Sequence, residues 1–222
     1  MRTLFLLIIL AGFTNPASTT AQSADSVNIS GISRRLAWTG QPKKFELIPN
    51  GIIIESGPKT DMYRAPDHSY NVYNAPHLML KADTCFILSA RIQHNFDNKW
   101  DGGAILIEED SLNWIKFCFE KDYKEQHRVV SVVTKSISDD CNSLAFATND
   151  VYYRVARVHD VIYLYCSGDG GEWYLVRTLN FPSKQDLKVG FLAQSPEGAN
   201  NRVTFTNIQY KPVRVKDFWK GE

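Results

Sequence analysis

The stretch that most constrains this chain runs from Trp100 to Glu120, WDGGAILIEEDSLNWIKFCFE. Two apolar runs, Ala104 to Ile107 and Trp114 to Phe119, flank the polar cluster from Glu108 to Asn113, which predicts a β-hairpin with a polar turn. Strand alternation sorts the second arm into two faces. Ile115, Phe117 and Phe119 form one, a bulky apolar set suited to a core. Trp114, Lys116, Cys118 and Glu120 form the other. A ring, an ammonium and a carboxylate in one row either bind a polar ligand or make a solvated outer face.

The same two-residue period recurs along the chain. Phe45 to Ile48 and Ile52 to Glu55, joined by Pro49-Asn50-Gly51, read as a hairpin. CFILSARIQ, residues 85 to 93, alternates like a half-buried strand. Val129 to Lys135, Val151 to Val158, Val161 to Cys166, Trp173 to Arg177, Val189 to Gln194 and Val203 to Tyr210 continue the series. A polar loop is expected through Asp139 and Asp140. About eleven short strands at 8 to 12 residue spacing predict an all-β, antiparallel sandwich of two sheets. Between the early strands, Ser56 to Pro76 has no period but carries Tyr63, Tyr70 and Tyr73. It predicts a long loop of the kind that places binding groups or covers a sheet end.

The N-terminus is different. Met1-Arg2 precedes the apolar run Leu4 to Phe13, too short to span a bilayer, and small residues follow, so residues 1–21 read as a signal peptide cut after Ala21. The protein is expected to be secreted or periplasmic, with no membrane insertion. Residues 22–36 read as a linker, 37–210 as the domain and 211–222 as a tail. The 222 residues less these 21 leave about 200, enough to bury roughly 70% of the surface the unfolded chain exposes. A net charge of +1 with interspersed signs gives no field to hold nucleic acid or anionic lipid.

Cys85, Cys118, Cys141 and Cys166 can persist as disulfides in an exported chain. On a simple hairpin register Cys141 lies about 30 Å from Cys118, far past the ~7 Å limit. Mostly unpaired, partly buried thiols are expected, with Cys85–Cys141 and Cys85–Cys166 left open. The spacing fits no zinc site. The histidines, His77 included, read as single loop or turn residues, mostly solvated.

Several strings together resemble the regulation-of-enolase-type family of unknown function within the concanavalin A-like lectin/glucanase superfamily. They are Trp38-Thr39-Gly40-Gln41-Pro42, Thr60-Asp61-Met62-Tyr63-Arg64, Asn113 with Trp114, Lys116 and Glu120, and Ser167-Gly168-Asp169-Gly170 with Trp173. Arg154 and the segment Val189 to Glu197 follow in order. The resemblance implies a jelly roll whose concave face holds ligands, and no particular reaction. It admits a structural calcium, for which Asp97, Asp101, Asp139 or Asp169 would supply oxygens. Gly102, Gly103 and Cys141 depart from the family pattern, which implies a groove of altered shape.

Three functions follow as expectations. The first is an exported accessory protein that binds or helps process poly- or oligosaccharides, with rings from Trp38, Tyr63, Trp100 and Trp114 and polar partners Asp61, Arg64, Lys116, Glu120, Arg154 and Gln194. The second is a glycoside hydrolase with Glu120 and Asp101 as the acid/base pair, or a lyase that neutralises a uronate with Arg64 or Arg154. On charge alone Lys116 should lower the Glu120 pKa, which favours a binder over an acid catalyst. The third is a structural domain that only packs against a partner, its Lys116 and Glu120 an ordinary same-face pair. Glu108, Glu109 and Asp110 read as surface acids of a turn.

Overall fold

The computed structural model describes residues 25–222; the segment read as a signal peptide, residues 1–21, lies outside them. No helix long and apolar enough to cross a membrane occurs among the described residues. The chain forms β1 (Ser26–Val27), β2 (Leu36–Thr39), β3 (Lys44–Ile48), β4 (Gly51–Ser56), β5 (Met62–Arg64) and β6 (Asn71–Tyr73). Then come β7 (His77–Lys81), β8 (Cys85–Gln93), β9 (Gly102–Asp110), β10 (Asn113–Lys121), β11 (His127–Lys135) and β12 (Ile137–Phe146). The last five are β13 (Asp150–Val158), β14 (Val161–Ser167), β15 (Tyr174–Asn180), β16 (Lys188–Gln194) and β17 (Asn201–Lys211).

One sheet has eight strands in the order β1-β2-β7-β16-β9-β10-β11-β12, the other seven in the order β15-β14-β13-β8-β17-β4-β3. The expected antiparallel sandwich is what forms. Ile115, Phe117 and Phe119 enter the core between the sheets, where they meet Ile92, Tyr153, Val155 and Phe205. Phe117 stacks on Tyr153 with centroids 3.9 Å apart, and the Tyr153 hydroxyl donates to the Cys118 carbonyl at 2.7 Å. The burial of both phenol and ring is thus satisfied.

β8 shows the alternation of a half-buried strand, whereas β9 and β10 are buried on both faces over most of their length. The reason is the loop between β4 and β7. It folds into the small β5–β6 hairpin and lies across the outer face of the eight-stranded sheet. There Met62 and Ala75 join Met79, Leu106, Trp114, Cys118 and Leu192 in a second apolar cluster. The loop is fixed at both sides. Thr60 and Ser195 exchange backbone hydrogen bonds at 3.2 Å, while the Arg64 amide donates to Ser138 Oγ at 3.0 Å and its Nε to the Ser136 carbonyl at 2.7 Å.

Several expectations are corrected. Of the segment read as a linker, 22–36, the described part belongs to the sandwich: β1 pairs with β2, and Val27, Ile29, Ile32 and Leu36 are buried in the core. Its apolar residues are too sparse to show a period, yet each finds the end of the core. The tail, 211–222, packs too. Val215 is buried against Ala156, Val158 and Tyr165, and the Tyr165 hydroxyl donates to the Phe218 carbonyl at 2.6 Å. The polar loop through Asp139 and Asp140 is the edge strand β12, whose polar sequence suits a strand with one free side.

That edge strand also revises the cysteine geometry. The chain doubles back at Ser136, so Cys118 faces Val130 and Val130 faces Asn142. Two strand spacings, about 10 Å, replace the expected 30 Å. Cys141 stands opposite Ser131, on the side facing the other sheet, away from the loop-covered face where it was expected to alter the groove. All four cysteines are free thiols.

Candidate functional site

Above β9, β10 and β11, beside the second apolar cluster, lies a cavity of about 450 Å³. Its floor carries Lys116, Glu120 and Gln194. Asp61, Tyr63 and Tyr70 come from the loop, Trp100 from the turn before β9, and Asp140 and Glu197 stand at the rim. Of the residues expected to bind, the cavity brings together Asp61, Tyr63, Trp100, Lys116, Glu120 and Gln194.

The floor follows from register. Gln194, Gly102 and Glu120 are neighbours in one row across β16, β9 and β10. With no side chain at Gly102, Gln194 and Glu120 face each other across a gap. A Cβ there would come within 2.6 Å of Cys118 Sγ and 3.2 Å of the Glu120 Cβ. This is the physical content of the departure from the family pattern at that position. Lys116 Nζ reaches into the same space and donates to Asp61 Oδ1 at 3.1 Å and Gln194 Oε1 at 2.8 Å. Burial alone would push the ammonium pKa down; Asp61, Cys118 and Glu120 outweigh it and hold the value above the ordinary lysine range.

Glu120 behaves otherwise than its charge neighbour suggested. Lys116 does pull its pKa down, but burial is the larger effect, and the carboxyl is raised to about 7. The side chain is only 6% exposed. Lys116 spends its donors on Asp61 and Gln194, and no ammonium, guanidinium or amide donates to Glu120 among the described residues. Beside Lys116, the Cys118 thiol also holds its pKa down, so Glu120 is a buried carboxyl near neutrality that opens to a cavity.

Trp100 is one of eight non-glycine residues with a positive φ among the described residues, and the one that lines the cavity. Its φ is +66°, a left-handed conformation that a bulky residue holds at a cost of about 1 to 3 kcal/mol. Its amide donates to the Lys121 carbonyl at 2.8 Å, and Gln194 Nε2 donates to its carbonyl at 3.0 Å. Asp101 next to it is fully buried. The Ser195 hydroxyl donates to its Oδ1 at 2.7 Å, and the Asn98 amide to its Oδ2 at 2.9 Å. Burial raises its pKa and these donors oppose the rise. Asp101 thus brackets the turn that presents Trp100 and does not line the cavity, so the expected Glu120 and Asp101 pair is not assembled there.

Other expected site residues stand elsewhere. Trp114 lies on the expected face but is fully buried beneath the loop, its ring in the second apolar cluster and its Nε1 without a partner. Arg154 is on β13 of the opposite sheet, where its guanidinium sits 3.9 Å from the Trp173 ring centroid and donates to the Gly221 carbonyl at 2.9 Å. Arg64 is turned to the Ser136 carbonyl and does not line the cavity. Tyr70 and Asp140 were missed as lining residues. Asp140 accepts from the Tyr63 hydroxyl at 3.0 Å, and only the pairing of β12 with β11 brings it there.

Glu108 is a buried strand residue, not a turn acid. Tyr73 donates to it, and His77 Nε2 lies 3.6 Å away. Burial raises its carboxyl, but His77, Tyr73 and Lys188 together leave it below the ordinary range. His77 and His94 are likewise buried rather than solvated. Among the described residues no group of three or more His, Cys, Asp or Glu side chains is placed to hold a metal ion, and the four aspartates considered for calcium form none.

The family model described as "Protein of unknown function (DUF1349)" matches residues 38–213. The chain belongs to the DUF1349 family. A curated relative, regulation of enolase protein 1 of Saccharomyces cerevisiae, is 25% identical over 171 residues, 76% of this chain and 85% of that one. The solved structure of a functionally unknown protein from Saccharomyces cerevisiae is 23% identical at a TM-score of 0.72, covering 79% of this chain and 95% of the other. The DUF1349 sandwich also resembles part of two larger proteins. The GH43 protein BlXynB from Bacillus licheniformis matches at TM-score 0.65 and 13% identity over 81% of this chain and 36% of its own. Xylan beta-1,4-xylosidase from Bacillus halodurans matches at 0.60 and 14% over 72% of this chain and 32% of its own. This chain thus spans about a third of each, and these likenesses establish the fold.

Proposed function

We propose that the protein is an exported saccharide-binding protein and that the cavity above Lys116 and Glu120 is its binding site. The observation that carries this reading is Trp100. Its backbone is held in a costly left-handed conformation by Gln194 and the Asp101 bracket, and its ring lines a cavity floored by Lys116, Glu120 and Gln194. A strained residue persists where surrounding structure enforces it, and such positions cluster at binding sites. Rings from Trp100, Tyr63 and Tyr70 supply apolar faces for a sugar, and the floor supplies hydrogen-bonding groups of both kinds. The sandwich fold shared with parts of glycoside hydrolases is consistent with this reading, and the apolar run Leu4 to Phe13 supports export.

Glycan-array screening followed by calorimetric titration tests it. Trp100→Gly should reduce saccharide affinity at least tenfold while changing stability by less than about 1 kcal/mol, because glycine relieves the positive φ as the ring's packing is lost. Equal affinity in the variant, or no saccharide bound by the parent protein, would overturn the reading.

Hydrolysis is the second reading, favoured by the Glu120 carboxyl at about 7, the range a general acid needs. With Asp101 engaged by Ser195 and Asn98, the second carboxylate would have to be Asp61 or Asp140. Release of reducing ends from a saccharide that binds, lost in Glu120→Gln, distinguishes hydrolysis from binding alone.

A further inference from the structure

Resting on the saccharide reading above, we propose that the cavity selects amino sugars, ligands whose rings carry a protonated amine, and rejects uronates. Asp61, Glu120, Asp140 and Glu197 line the cavity against one cation, Lys116. Lys116 is already matched: Asp61 and Gln194 hold its ammonium at 3.1 and 2.8 Å. Lys116 also lowers the Glu120 pKa, yet burial outweighs it and leaves that carboxyl at about 7, so an entering ammonium would hold it ionised. Glu120, 6% exposed, opens onto the cavity, and Asp140 and Glu197 extend the same sign along the rim.

The aromatic groups favour the same ligand. Tyr63 and Tyr70 have ring centroids 6.4 Å apart and tilted by 39°, and with Trp100 they edge the cavity beside Glu120. Ring faces near a carboxylate are the environment in which proteins receive ammonium groups, through cation–π attraction and a charge-assisted hydrogen bond. The same rings pack on the C–H faces of a sugar. A uronate meets the opposite: Arg64 and Arg154 are bound to backbone carbonyls outside the cavity, so no guanidinium is offered to its carboxylate, while Glu120 and the rim acids repel it.

The size of the effect follows from one charge-assisted hydrogen bond in a buried setting, about 10- to 100-fold in affinity. Calorimetric titrations of the mature chain at pH 7 would compare four probes: a glucosamine tetramer, its N-acetylated counterpart, trigalacturonate and spermidine. The glucosamine tetramer should bind at least tenfold tighter than the neutral N-acetylated one, trigalacturonate should show no binding, and spermidine, lacking rings to pack, should bind at least tenfold more weakly. Raising the salt to 0.5 M should shrink the preference for the amine, and Glu120→Gln should remove most of it. N-acetylated tetramer or trigalacturonate binding as tightly as the amine, a preference unchanged in Glu120→Gln, or spermidine matching the amino sugar would each overturn the inference. If neutral saccharides bind and Trp100→Gly abolishes that binding, yet no amine preference is seen, this inference falls while the saccharide reading stands. Failure of every saccharide would sink both.

Discussion

Lys116→Met is expected to destabilise the fold by about 3 to 5 kcal/mol, the usual cost of removing one partner from a buried ion pair. Methionine fills most of the lysine stem, so the loss reads the charge more than the cavity. The deletion strands the Asp61 carboxylate, in a residue 7% exposed, with the Met62 amide and the Tyr70 hydroxyl as its remaining donors. It also leaves Gln194 Oε1 without its donor. For a domain of this size the melting temperature should fall by about 10 °C. The double variant Lys116→Met with Asp61→Asn should recover part of the loss, because the lone carboxylate is what costs most. Thermal and urea melts at pH 7 check this. A loss below 1 kcal/mol, the scale of an exposed pair, would show that Lys116 is solvated and that the floor is not built as described.

The second large effect is on acid stability and originates in His94. Its Nε2 lies 3.0 Å from the Phe119 carbonyl, its ring packs on Phe96 with centroids 3.7 Å apart, and its Nδ1 is buried without a partner. Burial is the main cause that lowers its pKa to about 3, with His127 adding to it and the Phe119 carbonyl opposing it. In the unfolded chain the ordinary value is about 6.5. Between those values the unfolded state binds a proton that the folded state refuses. Stability from this group is therefore intact above pH 6.5 and declines as pH falls toward 3, by up to about 1.4 kcal/mol per pH unit. Glu120 acts with the opposite sign: its folded value near 7 lies above the unfolded one, so it adds stability as pH falls from 7 toward 4.5. Comparing melts of the parent, His94→Gln and Glu120→Gln from pH 8 to 4 separates the two. His94→Gln should flatten the acid decline and Glu120→Gln should steepen it. Parallel profiles for parent and His94→Gln would contradict a buried neutral imidazole.

Much of this arrangement is legible in the residues of β10. The alternation after Asn113 sends Ile115, Phe117 and Phe119 into the core and Lys116 and Glu120 to the other face, and nothing beyond the two-residue period is needed to read it. Asp61, Tyr63 and Gln194 stand beside them in the same cavity. What could not be read is depth and partnership across the fold. Trp114 shares the face of Lys116 but lies under Met62 and Ala75, and only the path of the loop decides which of the two is covered. Arg154 was misplaced because a strand's polar positions do not announce which sheet the strand joins. The Glu120 pKa departs from expectation for a related reason. A sequence shows the neighbouring charge of Lys116, whereas the larger effect, burial, depends on the loop, on Gly102 and on Lys116 being claimed by Asp61. β12 escaped notice because an edge strand with one open side needs no apolar alternation.

Under the proposed function, saccharide binds on the loop-covered face of the eight-stranded sheet, against Trp100, Lys116 and Glu120. Backbone amide chemical-shift mapping during titration with a glucosamine tetramer tests it most directly. Saturable shifts should concentrate at Tyr63, Tyr70, Trp100, Glu120, Asp140 and Gln194, with the core strands β8 and β13 unmoved. Saturable shifts confined to the opposite sheet, around Arg154 and Trp173, or no shifts at millimolar ligand, would contradict it.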